Sequence, residues 1–245
     1  MSKAFDAREF RRKFDELIVR GQFHETPEYY PRYRTRYEEL FRVFNERAPE
    51  GPLEVLDIGG GIYATLATAL RGDRCTVADV GATNVEYLKR CGVASVEWNL
   101  CQEGQPFESR FDAIVFSEVI EHLPVPSHLV LERLRRALKP GGFILCTTPN
   151  LYRLRNVVYM ALGKPIFDYF RMPTDRGLGH VLEFSREHLA WQIEQAGFRL
   201  ESLELRYFPH QPYSLPFRVL SWLGRPLFWF PRWRDCLVAI AQAPR

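Results

Sequence analysis

Residues 53–61, LEVLDIGGG, decide the fold of this chain. An apolar run of strand length ends in three consecutive glycines, and the helix-like stretch IYATLATAL follows at once over residues 62–70. Glycines in such a turn let the backbone bend tightly and bring a ligand against the amides of a helix N-terminus. The stretch therefore predicts a strand, a cofactor-binding turn and a helix in direct succession.

Short apolar runs alternate with helix-length connections along the rest of the chain. These runs are LEVLDI (53–58), CTVADV (75–80), ASVEWNL (94–100), FDAIVF (111–116), GFILCTT (142–148), FRLESLELR (198–206) and DCLVAIAQA (235–243). Strands separated by helices imply βαβ units, so we predict an α/β fold with a doubly wound, mainly parallel sheet of seven strands. Ser127 and Ser185 are expected to cap two of the helices, and Gly197 to end the second.

The chain is expected to form one domain with appendages. Residues 1–50 are interpreted as an N-terminal helical arm broken around Pro27 and Pro31, which either packs on the core or forms a lid over a ligand. Residues 51–245 would form the main domain, with insertions at about 150–183 and 207–234. These insertions would overhang the edge of the sheet at which ligands bind in open α/β folds.

Composition limits the classes of protein to which the chain can belong. Five widely spaced cysteines include no Cys-x-x-Cys pair, so we expect reduced thiols in a cytoplasmic protein. The charged start lacks the apolar core of a signal peptide, and no apolar run is long enough to span a bilayer. A net charge of only +3 argues against a dedicated nucleic-acid-binding protein.

The C-terminal quarter differs from the rest in charge. Six arginines stand against one acid over residues 206–245, and residues 213–233 are rich in aromatic side chains. This composition favours an anionic acceptor or a peripheral contact with a membrane surface.

Two carboxylates near the glycine turn bear on the cofactor. Gly59, Gly61 and Ala64 satisfy the loose dinucleotide fingerprint, and Asp79 ends the next strand, where it could bind a ribose. Asp57 would repel a pyrophosphate but attract the ammonium and sulfonium charges of S-adenosylmethionine. Asp57 could also be an ordinary capping or turn aspartate.

Together these motifs resemble the class I S-adenosylmethionine-dependent methyltransferases over about residues 50–205. The similar segments are VLDIGGG (55–61), TVADV (76–80), WNL (98–100), FDAIVFSEVIEHL (111–123), LKPGGFILCTTPN (138–150) and GHVLEFSREHL (179–189). The resemblance implies a Rossmann-like methyltransferase domain whose cofactor site is formed by Asp57, Gly59, Gly60, Gly61, Asp79, Val80, Asn99, Leu100 and Ser117. Asp79 would bind the ribose hydroxyls, Asn99 and Leu100 would flank the adenine, and Ser117 would lie beside the methionine moiety. Tyr63 departs from this family, because many members have a third glycine there.

A polar cluster follows the strand FDAIVF. If one helical turn begins there, Glu118, Glu121 and His122 lie on one face. Two carboxylates and an imidazole could hold a divalent cation or act as acid and base, and they could also simply begin a solvated helix.

The motifs Glu-x-x-Glu-His, Thr-Pro-Asn and Gly-His-x-x-Glu-Phe are similar to O-methyltransferases of ubiquinone synthesis and of small-RNA ends. This resemblance implies a site for Mg²⁺ or Mn²⁺ formed by Glu118, Glu121, His122 and His180. A bound cation would lower the pKa of an acceptor hydroxyl. The alternative is metal-free catalysis with His122 or His180 as general base and Glu121 beside them. A third possibility is that His122 and Glu121 have only structural roles.

The sequence thus predicts methyl transfer from S-adenosylmethionine to an oxygen. The cationic side chains of the first insertion are Arg153, Arg155, Lys164, Arg171 and Arg176, and they favour a sugar hydroxyl in a small molecule or glycan, with an anionic group nearby. Residues 148–165 also resemble bacterial methyltransferases of glycan synthesis. The alternatives are a catechol or phenol acceptor and, in a different class, a non-catalytic protein that uses the cofactor fold to recruit a partner.

Overall fold

A computed structural model of the protein describes residues 5–21, 28–81, 84–167, 179–208, 227 and 229–245. The helices are α1 (Ala7–Phe14), continued by a π-helical turn (Asp15–Val19), α2 (Tyr29–Arg47), α3 (Ile62–Arg71), α4 (Val85–Arg90), α5 (Ser127–Ala137), α6 (Leu154–Ala161) and α7 (Arg186–Gln195). The strands are β1 (Glu54–Ile58), β2 (Arg74–Asp79), β3 (Ala94–Glu97), β4 (Phe111–Ser117), β5 (Leu138–Pro149), β6 (Arg199–Arg206) and β7 (Cys236–Gln242). Short 3-10 turns span Ile120–His122 and Pro231–Trp233.

All seven strands form one sheet in the order β3-β2-β1-β4-β5-β7-β6. Strands β1 to β5 run parallel to one another, whereas β7 is antiparallel to both β5 and β6. The predicted doubly wound, mainly parallel sheet is confirmed. The strand order reverses between β1 and β4, and ligands of open α/β sheets bind at the carboxyl ends of strands at such a point.

Each face of the sheet is covered by helices over its own apolar cluster. The helices α1, α2 and α3 cover one face, where Phe14, Phe44 and Leu66 are fully or almost fully buried. The helices α5 and α7 cover the other face, where Leu131 and Ile193 are fully buried. The register of alternating side chains along the strands is therefore fixed by two separate cores.

The predicted caps of α5 and α7 had different outcomes. The hydroxyl of Ser185 accepts a hydrogen bond from the amide of His188 at 3.1 Å, and Gly197 has a φ of 80°, so both predictions at α7 are confirmed. The prediction for Ser127 is wrong, because Pro126 is the capping position of α5, and the amide of His128 in the first turn donates instead to the side-chain oxygen of Gln192 in α7 at 2.8 Å. Proline immediately before the first turn fixes the φ angle with which the chain enters the helix.

The N-terminal arm packs on the core through aromatic side chains. The Tyr63 ring lies in α3, and its centroid is 5.6 Å from that of Phe41 and 5.0 Å from that of Phe44 in α2. Tyr63, which stands where many family members have a glycine, therefore anchors the arm to α3. Pro31 lies in the first turn of α2 rather than at a break, because a proline is tolerated where the amide has no intrahelical acceptor.

The buried hydroxyl of Tyr63 has no hydrogen-bond partner among the described residues. We expect Tyr63→Phe to raise the free energy of unfolding by about 1 kcal/mol, because it removes an unpaired polar group from the core. Urea denaturation measures the change. The matched control is Tyr87→Phe, which should lower stability because the Tyr87 hydroxyl donates to the carbonyl of Leu17. Equal losses in both variants would contradict the expectation.

Parts of the predicted insertions lie outside the described residues. These parts are residues 168–178, with Arg171 and Arg176, and residues 209–226 and 228 of the C-terminal aromatic segment; Pro27 of the arm lies outside them as well. In the described ranges, no helix combines the length and the apolar composition that crossing a bilayer requires.

Candidate active site

Two glycines in the left-handed region shape the turn after β1. Gly59 has a φ of 110° and Gly61 a φ of 80°, conformations that side chains rarely adopt. A Cβ atom on Gly61 would lie 2.8 Å from the side chain of Leu88, so this glycine also permits close packing of the turn against α4. Gly60 lies between them, at the carboxyl end of β1.

Asp57 both caps a helix and places a buried carboxyl group next to this turn. Its side chain accepts a hydrogen bond from the Ala64 amide at 2.8 Å, in the first turn of α3, as the capping alternative predicted. Asp57 is only 5% exposed, and its burial, reinforced by the charge of Asp79, raises the pKa of the carboxyl to about 7. A nearby cation would favour the charged form of Asp57, so capping and cofactor binding are compatible.

The other predicted cofactor residues lie at the carboxyl ends of neighbouring strands. Asp79 accepts a hydrogen bond from the amide of Val80 at 2.6 Å, and Val80 itself is 60% exposed. The side-chain oxygen of Asn99 accepts a hydrogen bond from the Cys101 amide at 3.0 Å, whereas Leu100 is buried. These contacts fix the edge of the crevice where the resemblance places the ribose and the adenine.

Ser117 ends β4 in a short chain of hydroxyls and carboxylates. Its hydroxyl lies 2.8 Å from that of Thr147 in β5, which donates to Glu118 Oε1 at 3.0 Å. Ser117 is therefore held between the cofactor turn and the polar cluster that follows.

Glu118 does not share a helical face with Glu121 and His122, so the predicted geometry is wrong there. Glu118 has a φ of 55°, and the 3-10 turn begins only at Ile120. The carboxylate of Glu118 pairs instead with Arg36 of α2 at 3.1 Å. Glu118, one of the four predicted metal ligands, is thus paired with an arginine of the arm that is distant in sequence.

Glu121, His122 and His180 do lie together. Each offers one ligand atom within 4.8 Å of the other two, and among the described residues they form a possible metal-binding group. The carbonyl of Glu121 accepts hydrogen bonds from the amides of Val181 and Leu182 at 2.8 and 3.2 Å, which brings His180 beside His122. The two imidazole centroids are 5.0 Å apart.

Glu121 is almost fully buried. Its Oε2 accepts a hydrogen bond from the Thr148 hydroxyl at 3.0 Å. Burial, reinforced by the charge of Glu118, raises the pKa of Glu121 well above its usual range. A buried carboxylate of this kind binds a proton or a cation.

The sequence reasoning missed Glu183, which orients His180. Glu183 Oε1 lies 3.1 Å from His180 Nδ1, and the carboxylate also receives hydrogen bonds from Arg153 and Asn156. Burial alone would raise the pKa of Glu183, but the hydrogen bond from His180 and the charge of Arg153 hold it below its usual range. The spacing His-x-x-Glu was the available signal, because it places the two side chains within reach of each other.

Arg153 is therefore engaged inside the protein rather than presented to an acceptor. Its side chain is 15% exposed and is paired with Glu183. Arg155 and Lys164 both lie over the ring of Tyr159, at 5.5 and 5.9 Å from its centroid.

Comparison with known proteins assigns the chain to a family. A family model described as "Methyltransferase domain" matches residues 30–203. The chain belongs to this methyltransferase family. The matched residues run from the start of α2 into β6, so they include both the cofactor turn and the Glu121–His122–His180 group.

Named relatives and a solved structure agree with the family. The methyltransferase is 29% identical over 219 residues to the ubiquinone biosynthesis O-methyltransferase of Thiobacillus denitrificans, covering 84% of this chain and 89% of that protein. The identity to the Xylella fastidiosa enzyme of the same name is 28% over 179 residues, with 67% and 69% covered. The crystal structure of an S-adenosylmethionine-dependent methyltransferase from Archaeoglobus fulgidus has a TM-score of 0.57 at 18% identity, over 87% of this chain and 97% of that one.

The predicted membership of the class I S-adenosylmethionine-dependent methyltransferases is confirmed. The protein is an enzyme that uses S-adenosylmethionine. Membership of this enzyme family does not support the alternative of a non-catalytic protein that recruits a partner.

Proposed function

We propose that this methyltransferase methylates a hydroxyl oxygen that has a second oxygen next to it, and that Glu121, His122 and His180 activate that hydroxyl. The observation that carries the proposal is the convergence of one carboxylate and two imidazoles within 4.8 Å. Support also comes from the relatives named O-methyltransferases. S-adenosylmethionine supplies the methyl group when it is bound.

The two histidines are oriented in the same way. His122 Nδ1 lies 3.1 Å from the carbonyl of Gly179, and His180 Nδ1 lies 3.1 Å from the carboxylate of Glu183. Both oxygens can only accept, so in the neutral rings Nδ1 carries the proton and Nε2 is left as a base or ligand. A carboxylate or carbonyl behind an imidazole is a common arrangement in metal sites and in general-base pairs.

The three residues fit a divalent cation, whose chemistry would be to lower the pKa of the acceptor hydroxyl. We propose Glu121, His122 and His180 as its ligands, without Glu118. A set of two imidazoles and one carboxylate suits Mn²⁺ better than Mg²⁺, which prefers oxygen ligands.

We expect a chelator to lower activity at least about tenfold, and Mn²⁺ to restore it better than Mg²⁺. A readout independent of turnover is the electron paramagnetic resonance spectrum of added Mn²⁺, which should show a bound ion in the native protein and not in His122→Ala/His180→Ala. Full activity in chelator would contradict the metal, and would leave His180, backed by Glu183, as the general base. The hydroxyl proton would then pass to His180 Nε2.

For the acceptor, we propose a sugar hydroxyl of a small molecule or glycan, as the sequence suggests. The second candidate is a catechol, which the names of the ubiquinone-synthesis relatives favour. Product analysis separates the two with a panel of diols, catechols and matched acceptors that lack the second oxygen. Transfer only to nitrogen or carbon would contradict O-methylation altogether.

The remaining proposals on partners follow from composition. The proposal of an anionic group on the acceptor depends on the cationic side chains of both insertions, and that of peripheral membrane contact depends on residues 213–233. Many of these residues lie outside the described ranges. A dedicated nucleic-acid partner is not proposed, in view of the net charge of +3.

A further inference from the structure

Helix α2 of the arm reaches into the active site through one side chain. Arg36 Nη1 lies 3.1 Å from Glu118 Oε2, and the two side chains are only 15% and 20% exposed. In contrast, the pair between Arg34 of the same helix and Asp15 joins two parts of the arm and is 37% and 48% exposed. The arm therefore has one ion pair to the site that is distinct from those that hold the arm together.

Three elements converge on the carboxylate of Glu118. Arg36 approaches from α2, the Thr147 hydroxyl donates from β5 at 3.0 Å, and the Cys236 thiol of β7 lies 3.6 Å away. The backbone of Glu118 has a φ of 55°, which is unfavourable for a residue other than glycine. Such strain persists only where the surroundings over-determine it, and it concentrates at functional sites.

Glu118 also lies between the cofactor turn and the Glu121–His122–His180 group. A Cβ atom on Gly59 would lie 3.4 Å from Val119, so the chain next to Glu118 borders the cofactor turn. Glu121 follows one short turn later. A buried ion pair is weak evidence for stability, because desolvation offsets its attraction. The position of the Arg36–Glu118 pair between the cofactor turn and the two histidines therefore argues for a role in function.

Aromatic side chains of α2 surround the guanidinium of Arg36. It donates to the Tyr29 hydroxyl at 3.1 Å and lies 4.9 and 5.4 Å from the ring centroids of Tyr33 and Tyr37. Planar rings beside a fixed cation form a rigid wall. The helix thus presents a preorganised surface at Glu118 rather than a mobile charge.

We propose that α2 is a wall of the acceptor site and that Arg36 is a positioning residue, which fixes Glu118 to accept a hydrogen bond from the second hydroxyl of the acceptor. A carboxylate has about four lone-pair sites. Arg36, Thr147 and Cys236 use three of them. The fourth would recognise the adjacent hydroxyl, while the Glu121 group binds the reacting one. This inference rests on the proposed O-methylation.

The test is the preference of the enzyme for a diol over the matched acceptor with a single hydroxyl. Glu118→Gln and Arg36→Gln should each lower kcat/KM for the diol about 10–100-fold, the loss expected for one hydrogen bond to a charged group. The value for the single hydroxyl should fall less than the value for the diol, so the preference for the diol should itself fall at least about tenfold. The dissociation constant of the cofactor should change less than about twofold. The double variant should be no worse than either single variant, because both remove the same contact.

Two further variants separate positioning from folding. Arg34→Gln removes an ion pair within the arm, does not touch Glu118 and should leave the preference for the diol unchanged. Arg36→Lys keeps the positive charge, so it should have more activity on the diol than Arg36→Gln at the same melting temperature. An undiminished diol preference in Glu118→Gln would overturn the inference even if the native enzyme methylates hydroxyls. Failure of the native enzyme to methylate any hydroxyl would instead overturn the proposed function.

Discussion

Replacing His180 with alanine is expected to lower kcat about 10³-fold while the affinity for S-adenosylmethionine changes little. The size follows from the contribution of a positioned acid–base group or metal ligand, which is about 10²–10⁴-fold. Cofactor affinity should persist because His180 belongs to the segment over Glu121, whereas the glycine turn lies after β1. Single-turnover kinetics and calorimetric cofactor binding measure the two effects separately.

A variant of Glu183 should lower activity in the same direction by a smaller factor. Glu183→Gln keeps the shape of the side chain but removes the charge that orients His180, so a loss of about 10–100-fold is expected. The matched control is His128→Gln, because His128 is hydrogen-bonded to Gln192 on α7 and not to the site. Near-native kcat in His180→Ala would contradict the assignment of the whole group.

The second large effect is expected at Asp57. Asp57→Asn should weaken S-adenosylmethionine binding at least about tenfold, because it removes the buried negative charge beside a cationic ligand. The same variant should raise the free energy of unfolding of the cofactor-free protein at pH 8 by about 2–4 kcal/mol. Asparagine can still accept the hydrogen bond from the Ala64 amide, so the cap of α3 is retained.

The pH dependence of this effect follows from the raised pKa. An unfolded aspartate titrates near pH ~4, whereas burial raises the pKa of Asp57 in the folded protein to about 7. Between these values the folded state holds the extra proton, so this contribution to stability falls as pH rises through the window and stays lost above it. The variant should therefore differ little from the native protein at pH 4 and most at pH 8.

Thermal unfolding at several pH values, with and without cofactor, measures both effects. The matched control is Asp235→Asn, because burial also raises the pKa of Asp235 to about 7. That variant should show the same pH-dependent gain in stability without loss of cofactor affinity. A stability difference at Asp57 that does not vary with pH would contradict the expectation.

The sheet was predictable because local patterns determine it. The central strands β1, β2, β4 and β5 contain apolar runs bounded by turn residues, and the glycines at 59–61 mark the end of β1 without any knowledge of tertiary contacts. The caps show where such reasoning stops. Ser185 could be identified from its spacing to α7, but Ser127 is displaced by the proline that precedes it.

The active site was only partly predictable, because its decisive contacts join distant segments. Glu121 and His122 are neighbours in sequence, and the resemblance suggested His180. The pairing of Glu118 with Arg36 spans 82 residues and depends on how the arm packs, which no local pattern encodes. Arg153 looked like an acceptor-binding cation, yet its partner is Glu183, the residue that orients His180.

The most direct test of the central claim is transfer of a trideuteromethyl group from labelled S-adenosylmethionine to diol and catechol acceptors, followed by mass spectrometry of the product. The native enzyme should place the label on an oxygen, and His122→Ala/His180→Ala should lose this activity while it still binds the cofactor. Label on nitrogen or carbon, or undiminished transfer by the double variant, would contradict the assignment of Glu121, His122 and His180 as the hydroxyl-activating group.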